Sequence, residues 1–100
     1  MAAYLIVNFS IDNPDLYKTY QKGAVPALGI GSTSTLRVID SDTDVVEGDA
    51  GHQTVVLEFE SKEKAHEVYD SGDYQAVIGD RFNATSKHFA IIVDAFQPRS

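Results

Sequence analysis

Apolar side chains crowd residues 4–11 (YLIVNFSI), and the β-branched and aromatic content of that run predicts a strand. Asn13-Pro14-Asp15 then opens a helix. Asn13 suits the N-cap, Pro14 suits the first helical position, where its missing N–H is no loss, and Asp15 complements the positive end of the helix dipole. Leu16, Tyr20, Ala24 and Ala27 or Leu28 follow at helical spacing, Pro26 must bend or end the helix, and Gly29 and Gly31 finish it. Residues 32–39 (STSTLRVI) predict a second strand, and residues 40–51 a polar, acidic connection with room for a short strand at 44–47. Residues 52–60 (HQTVVLEFE) predict a third strand. Ser61 caps a second helix with Ala65, Val68 and Tyr69 on one face. Ser71-Gly72-Asp73 breaks that helix and starts another, whose stripe is Tyr74, Val77, Ile78, Arg81 and Phe82; residues 87–96 (KHFAIIVDAF) predict the last strand.

The predicted order is β-α-β-β-α-β, in which each half reads strand, helix, strand. It implies one α+β domain over residues 1–100, of the ferredoxin-like kind, with an antiparallel sheet carrying its helices on one face. A parallel α/β sheet is disfavoured, because no helix separates the second strand from the third. In the first strand Leu5, Val7, Phe9 and Ile11 alternate with Tyr4, Ile6, Asn8 and Ser10; in the last, Ala90, Ile92 and Phe96 alternate with Phe89, Ile91, Val93 and Ala95. Both faces are therefore apolar, and helices cover only one. A second copy of the same sheet is the expected cover for the other, which predicts a homodimer.

Composition narrows the function classes. Hydrophobic residues make up 43% of the chain, enough for a packed core. A formal net charge of −7 argues against nucleic acid or an anionic membrane as partner, since both need a basic face. With no cysteine there is no disulfide, thiol nucleophile or cysteine-held metal. The start Met1-Ala2-Ala3-Tyr4 has no basic leader region, and no apolar run approaches membrane length, so the expected location is cytoplasmic.

The opening AAYLIV (2–7), the N-P-D-L-Y helix entry (13–17), Ala24-Val25-Pro26, Glu47-Gly48, V-V-L-E-F (55–59), Y-D-S-G-D-Y-Q-A (69–76) and Arg81 occur in that order along nearly the whole chain. In these pieces and their spacing the chain resembles the domain of unknown function 1330 family, of the dimeric α+β barrel group. The chain departs from the family pattern at Gly31-Ser32-Thr33-Ser34, where a Gly-Gly-Arg-Tyr-like start to the second strand is usual. It departs again at Ser71-Gly72-Asp73-Tyr74, where Ser-Pro-Glu-Tyr is usual. The resemblance implies a fold and a dimer, and no particular reaction.

Most motif-like stretches fail on chemistry. Asp40-Ser41-Asp42-Thr43-Asp44 begins like a calcium loop, but the sixth and twelfth positions are Val45 and Gly51 instead of glycine and glutamate. His66-Glu67-Val68-Tyr69-Asp70 begins like a zinc-protease helix, but Asp70 stands where the second histidine belongs. His52, His66 and His88 lack metal-ligand spacing, so neither a metal nor a cofactor is expected. Gly29-Ile30-Gly31 precedes a strand, so it cannot aim a helix N-terminus at phosphate. Asn83-Ala84-Thr85 fits a glycosylation acceptor without an export signal.

Polar groups set among apolar neighbours are the better candidates: Asn8, Arg37, Glu58 and Arg81. In a pocket between sheet and helices, Asn8, Arg37, Tyr69, Tyr74 and Arg81 would bind a small molecule, and Glu58 or His52 would move a proton. If the Glu58 face of its strand meets the helices, Arg81 is its expected partner. If Glu58 faces the dimer, Arg37 or Asn8 of the other subunit takes that place and Arg81 falls to a surface role. Three functions fit: an enzyme-like protein acting on a small organic molecule without metal, a non-catalytic small-molecule binder, or a structural dimerisation module.

Overall fold

The computed structural model describes residues 1–97. The elements are β1 (Ala3–Ile11), α1 (Pro14–Ala27), β2 (Thr35–Asp40), β3 (Gln53–Phe59), α2 (Lys62–Tyr69), α3 (Gly72–Ala84) and β4 (Thr85–Asp94). The strands form one antiparallel sheet in the order β2-β3-β1-β4. This is the ferredoxin-like α+β arrangement, with the second crossing split into α2 and α3.

Local chemistry sets the helix boundaries. The Asn13 side chain accepts from the Leu16 N–H at 3.2 Å, with Pro14 next in line, and Ser61 accepts from the Lys64 N–H at 3.0 Å. Ser71 serves both helices it joins: its hydroxyl donates to the Val68 carbonyl at 2.7 Å and accepts from the Tyr74 N–H at 3.3 Å. Pro26 lies within the last turn of α1, which closes when the Leu28 N–H reaches the Ala24 carbonyl at 2.8 Å. Residues 44–47 form no strand. β4 starts at Thr85, directly after α3, because the Ala84 carbonyl already accepts from the N–H groups of Asp12 and Asn13 at the end of β1.

β1 lies between β3 and β4 and fixes their register. Leu5 pairs with Leu57 on one side and Ile92 on the other; Val7 pairs with Val55 and Ala90. These residues share the face under the helices, where Leu5, Val7, Phe9, Leu57 and Phe59 pack against Tyr17, Tyr20, Leu28, Tyr74 and Ile78. On the opposite face Phe89 is 43%, Ile91 47% and Val38 41% exposed, beside the half-buried Tyr4, Ile6 and Val56. Among the described residues no helix covers them, and the chain forms a slab whose Cα extents are 46 × 35 × 18 Å.

Asn8 is the buried exception on that outer face. Its side chain accepts from the Gly51 N–H at 2.7 Å and donates to the Gly51 carbonyl at 3.1 Å and to Thr54 Oγ1 at 3.0 Å. It thereby pins the end of the long connection between β2 and β3 onto β1. Only glycine fits at 51, because a Cβ there would overlap the backbone of Phe9 and Ser10. Substituting Asn8→Leu strands two buried backbone groups of Gly51, each costing about 1–3 kcal/mol, so stability in urea denaturation should fall by roughly 2–4 kcal/mol. A loss well below about 1 kcal/mol would mean that other contacts hold the connection.

Candidate functional site

Two spaces lie between the helices and the sheet. A cleft of about 270 Å³ has Leu5, Ala90 and Ile92 as its floor and, as its wall, His66 and Tyr69 of α2 with the residue that caps it, Asp70. A smaller space of about 70 Å³ lies under α1, lined by Tyr17, Tyr20, Gln21, Ile39 and Leu57 among others. A row of rings joins the two. Successive centroids run 5.4 Å from Phe9 to Tyr17, 5.7 Å to Tyr20, 6.3 Å to Tyr74 and 5.2 Å to Tyr69. The Tyr20 and Tyr74 hydroxyls are 2.6 Å apart. Whichever of them donates, the proton of the other is left for a third group.

Arg81 stands among these rings at 2% exposure. Its Nη2 donates to the Tyr69 hydroxyl at 3.4 Å, and its guanidinium carbon lies 5.2 Å from the Phe82 ring centroid. Its Nε and Nη1 are buried with no acceptor among the described residues, and the Gln53 side-chain oxygen is buried with no donor. The ion pairs of the described residues are Arg37–Glu58, Lys62–Asp94, Lys64–Glu67 and Lys87–Asp49, none of which includes Arg81. A guanidinium cannot shed its proton at any accessible pH, so an uncompensated one in the interior costs several kcal/mol.

The surrounding phenols are held neutral. Burial raises the pKa of Tyr17, Tyr20 and Tyr74 above the ordinary 10.0, while the charge of Arg81 pulls all three the other way. Burial wins in each case, so these hydroxyls are hydrogen-bond donors, not phenolates, at neutral pH.

The structure assembles only part of the predicted set. Arg81, Tyr69 and Tyr74 come together between sheet and helices. Glu58 does not meet Arg81, and Arg81 does not fall to the surface. Glu58 points to the outer face and pairs at 3.0 Å with Arg37 of its own chain. The reason is register: Thr35 opposes Glu58, and a bulge between Leu36 and Val38 lets Arg37 reach it. Asn8 is taken up by Gly51 and Thr54, and His52 is exposed beside the connection, its carbonyl accepting from the Thr43 N–H. Tyr20, Gln53, His66 and Asp70 were not singled out by sequence as ligand groups. For the last two the signal was present: His66, Tyr69 and Asp70, spaced three and four apart, share one helix face.

A family model described as "Domain of unknown function (DUF1330)" matches residues 2–96. Among solved structures the chain is similar to a protein of unknown function from Rhodopseudomonas palustris, at 12% identity over 97% of this chain and 84% of that one, with a TM-score of 0.73. It is similar to a dabb-family protein with a ferredoxin-like fold from Mesorhizobium loti, at 17% identity over 96% and 98% of the two chains, with a TM-score of 0.68. A dimeric ferredoxin-like protein of unknown function from Thermobifida fusca matches at 14% identity over 95% and 92%, with a TM-score of 0.65. At these identities the likeness is one of fold. No curated protein matches the chain in sequence. Among the described residues no helix is long and apolar enough to cross a membrane, and no three potential metal ligands cluster.

The raised tyrosine pKa values make stability depend on alkaline pH. A raised folded-state pKa contributes nothing adverse below the unfolded value of 10.0. Above it the unfolded chain ionises while the folded one does not, so stability falls as pH rises, by up to about 1.4 kcal/mol per pH unit for each tyrosine. Phenolate absorbance of Tyr17, Tyr20 and Tyr74 should therefore appear only together with loss of circular dichroism above pH 10. Their smooth titration in a folded protein would contradict this.

Proposed function

We propose that this chain, which belongs to the domain of unknown function 1330 family, works as a homodimer that holds a small organic anion between its sheet and its helices. The observation that carries the reading is Arg81, a buried cation with two nitrogens unused and no ion-pair partner among the described residues. Natural interiors rarely keep such a group without a partner, and the missing partner here has to be an acceptor. Neutral phenols supply further donors around it. A guanidinium among hydroxyl donors suits a carboxylate or similar oxyanion and repels a metal ion, so the proposed site is metal-free. A cleft of about 270 Å³, just below the ~300 Å³ at which ligand pockets usually begin, opens beside Tyr69, whose hydroxyl accepts from Arg81; Arg81 itself stands behind that lining.

The homodimer reading rests on the apolar outer face, with Phe89, Ile91 and Val38 left open, and on the dimeric state of the Thermobifida fusca protein of the same fold. Covering that face with its copy would bury on the order of 800 Å² per partner, a standard stable interface.

Two substitutions test these readings. Replacing an uncompensated buried charge with an apolar side chain of similar length relieves desolvation, so Arg81→Met should leave the ligand-free protein as stable as before or up to about 4 kcal/mol more stable. The same variant should lose the melting-temperature rise that small carboxylates give the wild-type protein. Marked destabilisation by Arg81→Met would make the arginine a structural strut instead. Ile91→Glu buries a carboxylate in the proposed interface and should give a monomer mass in light scattering at micromolar concentration; an unchanged dimer mass would place the interface elsewhere.

A further inference from the structure

One side chain separates the open cleft from the buried charge. Tyr69 lines the cleft of about 270 Å³, and Arg81 does not. On its other side the Tyr69 hydroxyl accepts from Arg81 Nη2 at 3.4 Å, a length at which a hydrogen bond holds weakly. A second ring also screens the guanidinium: the centroid of Phe82 lies 5.2 Å from its carbon and 5.0 Å from the His88 ring. An anion in the cleft therefore cannot reach the unused nitrogens of Arg81 while Tyr69 stays in place.

The anchoring of Tyr69 is uneven. Its main chain is tied at the end of α2, where its carbonyl accepts from Gln75 Nε2 at 2.8 Å and the Asp70 N–H donates to the His66 carbonyl at 2.8 Å. Its ring is half-buried, lies 5.2 Å from Tyr74 between centroids, and borders the open volume of the cleft. Rotation about the side-chain bonds carries the phenol into that volume and leaves the helix unchanged; it gives up one long hydrogen bond and part of one ring contact. Asp70 lines the same cleft, exposed and with no ion-pair partner among the described residues. Its carboxylate repels an entering anion, a doubly charged one most strongly.

We propose that Tyr69 is the gate to Arg81 and Asp70 the filter in front of it, so that the site admits small monoanions and turns dianions away. The assignment rests on the reading of Arg81 as an anion anchor. When Tyr69 turns aside, Nη2 loses a neutral acceptor, and the arriving carboxylate replaces it with a charged one. A carboxylate gripping Nη2 also reaches one of the unused nitrogens, since a guanidinium presents its N–H groups in parallel pairs.

The first part of the test needs no ligand: solvent exchange of the Arg81 Nε–H, followed by heteronuclear NMR. The chain has three arginines, Arg37, Arg81 and Arg99, so the signal lost in Arg81→Met is assigned directly. In the wild-type protein this proton should exchange far more slowly than that of the exposed Arg37. Tyr69→Phe, which keeps the ring and removes the hydroxyl, should speed exchange about fivefold, the factor that one modest hydrogen bond holds back. Tyr69→Ala should speed it further, and Phe82→Leu should leave it unchanged. Exchange that ignores both Tyr69 substitutions, or that quickens with Phe82→Leu instead, overturns the gate and leaves the anion site standing. The second part adds acetate or sulfate at matched low ionic strength, where charge repulsion is least screened. Acetate should shift the wild-type Arg81 signal and sulfate should not, and Asp70→Asn should admit sulfate. Sulfate that shifts the wild-type signal as acetate does, or that stays excluded from Asp70→Asn, overturns the filter. An Arg81 signal that neither anion moves, even in Tyr69→Ala, overturns the anion site and the entry role of Tyr69 with it.

Discussion

A sheet with apolar side chains on both faces needs two covers, and the chain supplies one. α1, α2 and α3 all pack on the face of Leu5, Val7, Phe9, Leu57 and Phe59, leaving Phe89 and Ile91 on the other. That asymmetry shapes everything else. It makes the chain a thin slab and leaves an apolar outer face opposite the helices. The two faces also handle charge differently. On the outer face Arg37 and Glu58 satisfy each other in partial exposure, where such a pair contributes about 0–1 kcal/mol. On the inner face Arg81 has no such partner among the described residues.

The inner layer joins an aromatic core to an unanswered charge. Five rings in a row, from Phe9 to Tyr69, would suffice as packing alone. Their hydroxyls make the same layer a set of neutral donors gathered about Arg81, and burial keeps them neutral against the pull of that charge. A wholly structural interior would gain from phenylalanine at these positions and methionine at 81, since apolar replacements of buried polar networks are often neutral or stabilising. Retaining tyrosines and an arginine there forgoes that gain.

The sequence revealed the architecture far better than the site. Strand composition, the Asn13-Pro14-Asp15 entry, the Ser61 cap and the Ser71-Gly72-Asp73 break located the helices within a few residues, because these signals are local. The alternation in β1 and β4 announced two apolar faces before any pairing was known. What the sequence left open was which face of β3 meets the helices. One residue of register reverses every side chain, so Glu58 was assigned either to Arg81 or to a residue of a second subunit; it lies on the outer face, away from Arg81, and pairs with Arg37 of its own chain. Asn8 looked like a ligand group because it sits in an apolar strand, and its partner Gly51 is reached only through the long connection. Tyr20 was marked only as part of the apolar stripe of α1, and Gln53 not at all: the hydroxyl partner of Tyr20, Tyr74, lies far along the chain.

The position of β1 carries a cost during synthesis. It is the central strand, yet its two neighbours are β3 and β4, and Ala3 pairs with Asp94 near the far end of the described chain. As the polypeptide emerges from the ribosome, β1 leads with apolar groups on both faces and unpaired N–H and C=O groups along both edges. Neither edge can be closed until most of the sequence has followed. Pairings of such long sequence separation form slowly, and an unsatisfied strand of this kind is a template for association with other nascent chains. Translation speed through the second half, and chaperones that shield extended apolar segments, therefore bear on the yield of this fold more than the stability of the finished molecule would suggest.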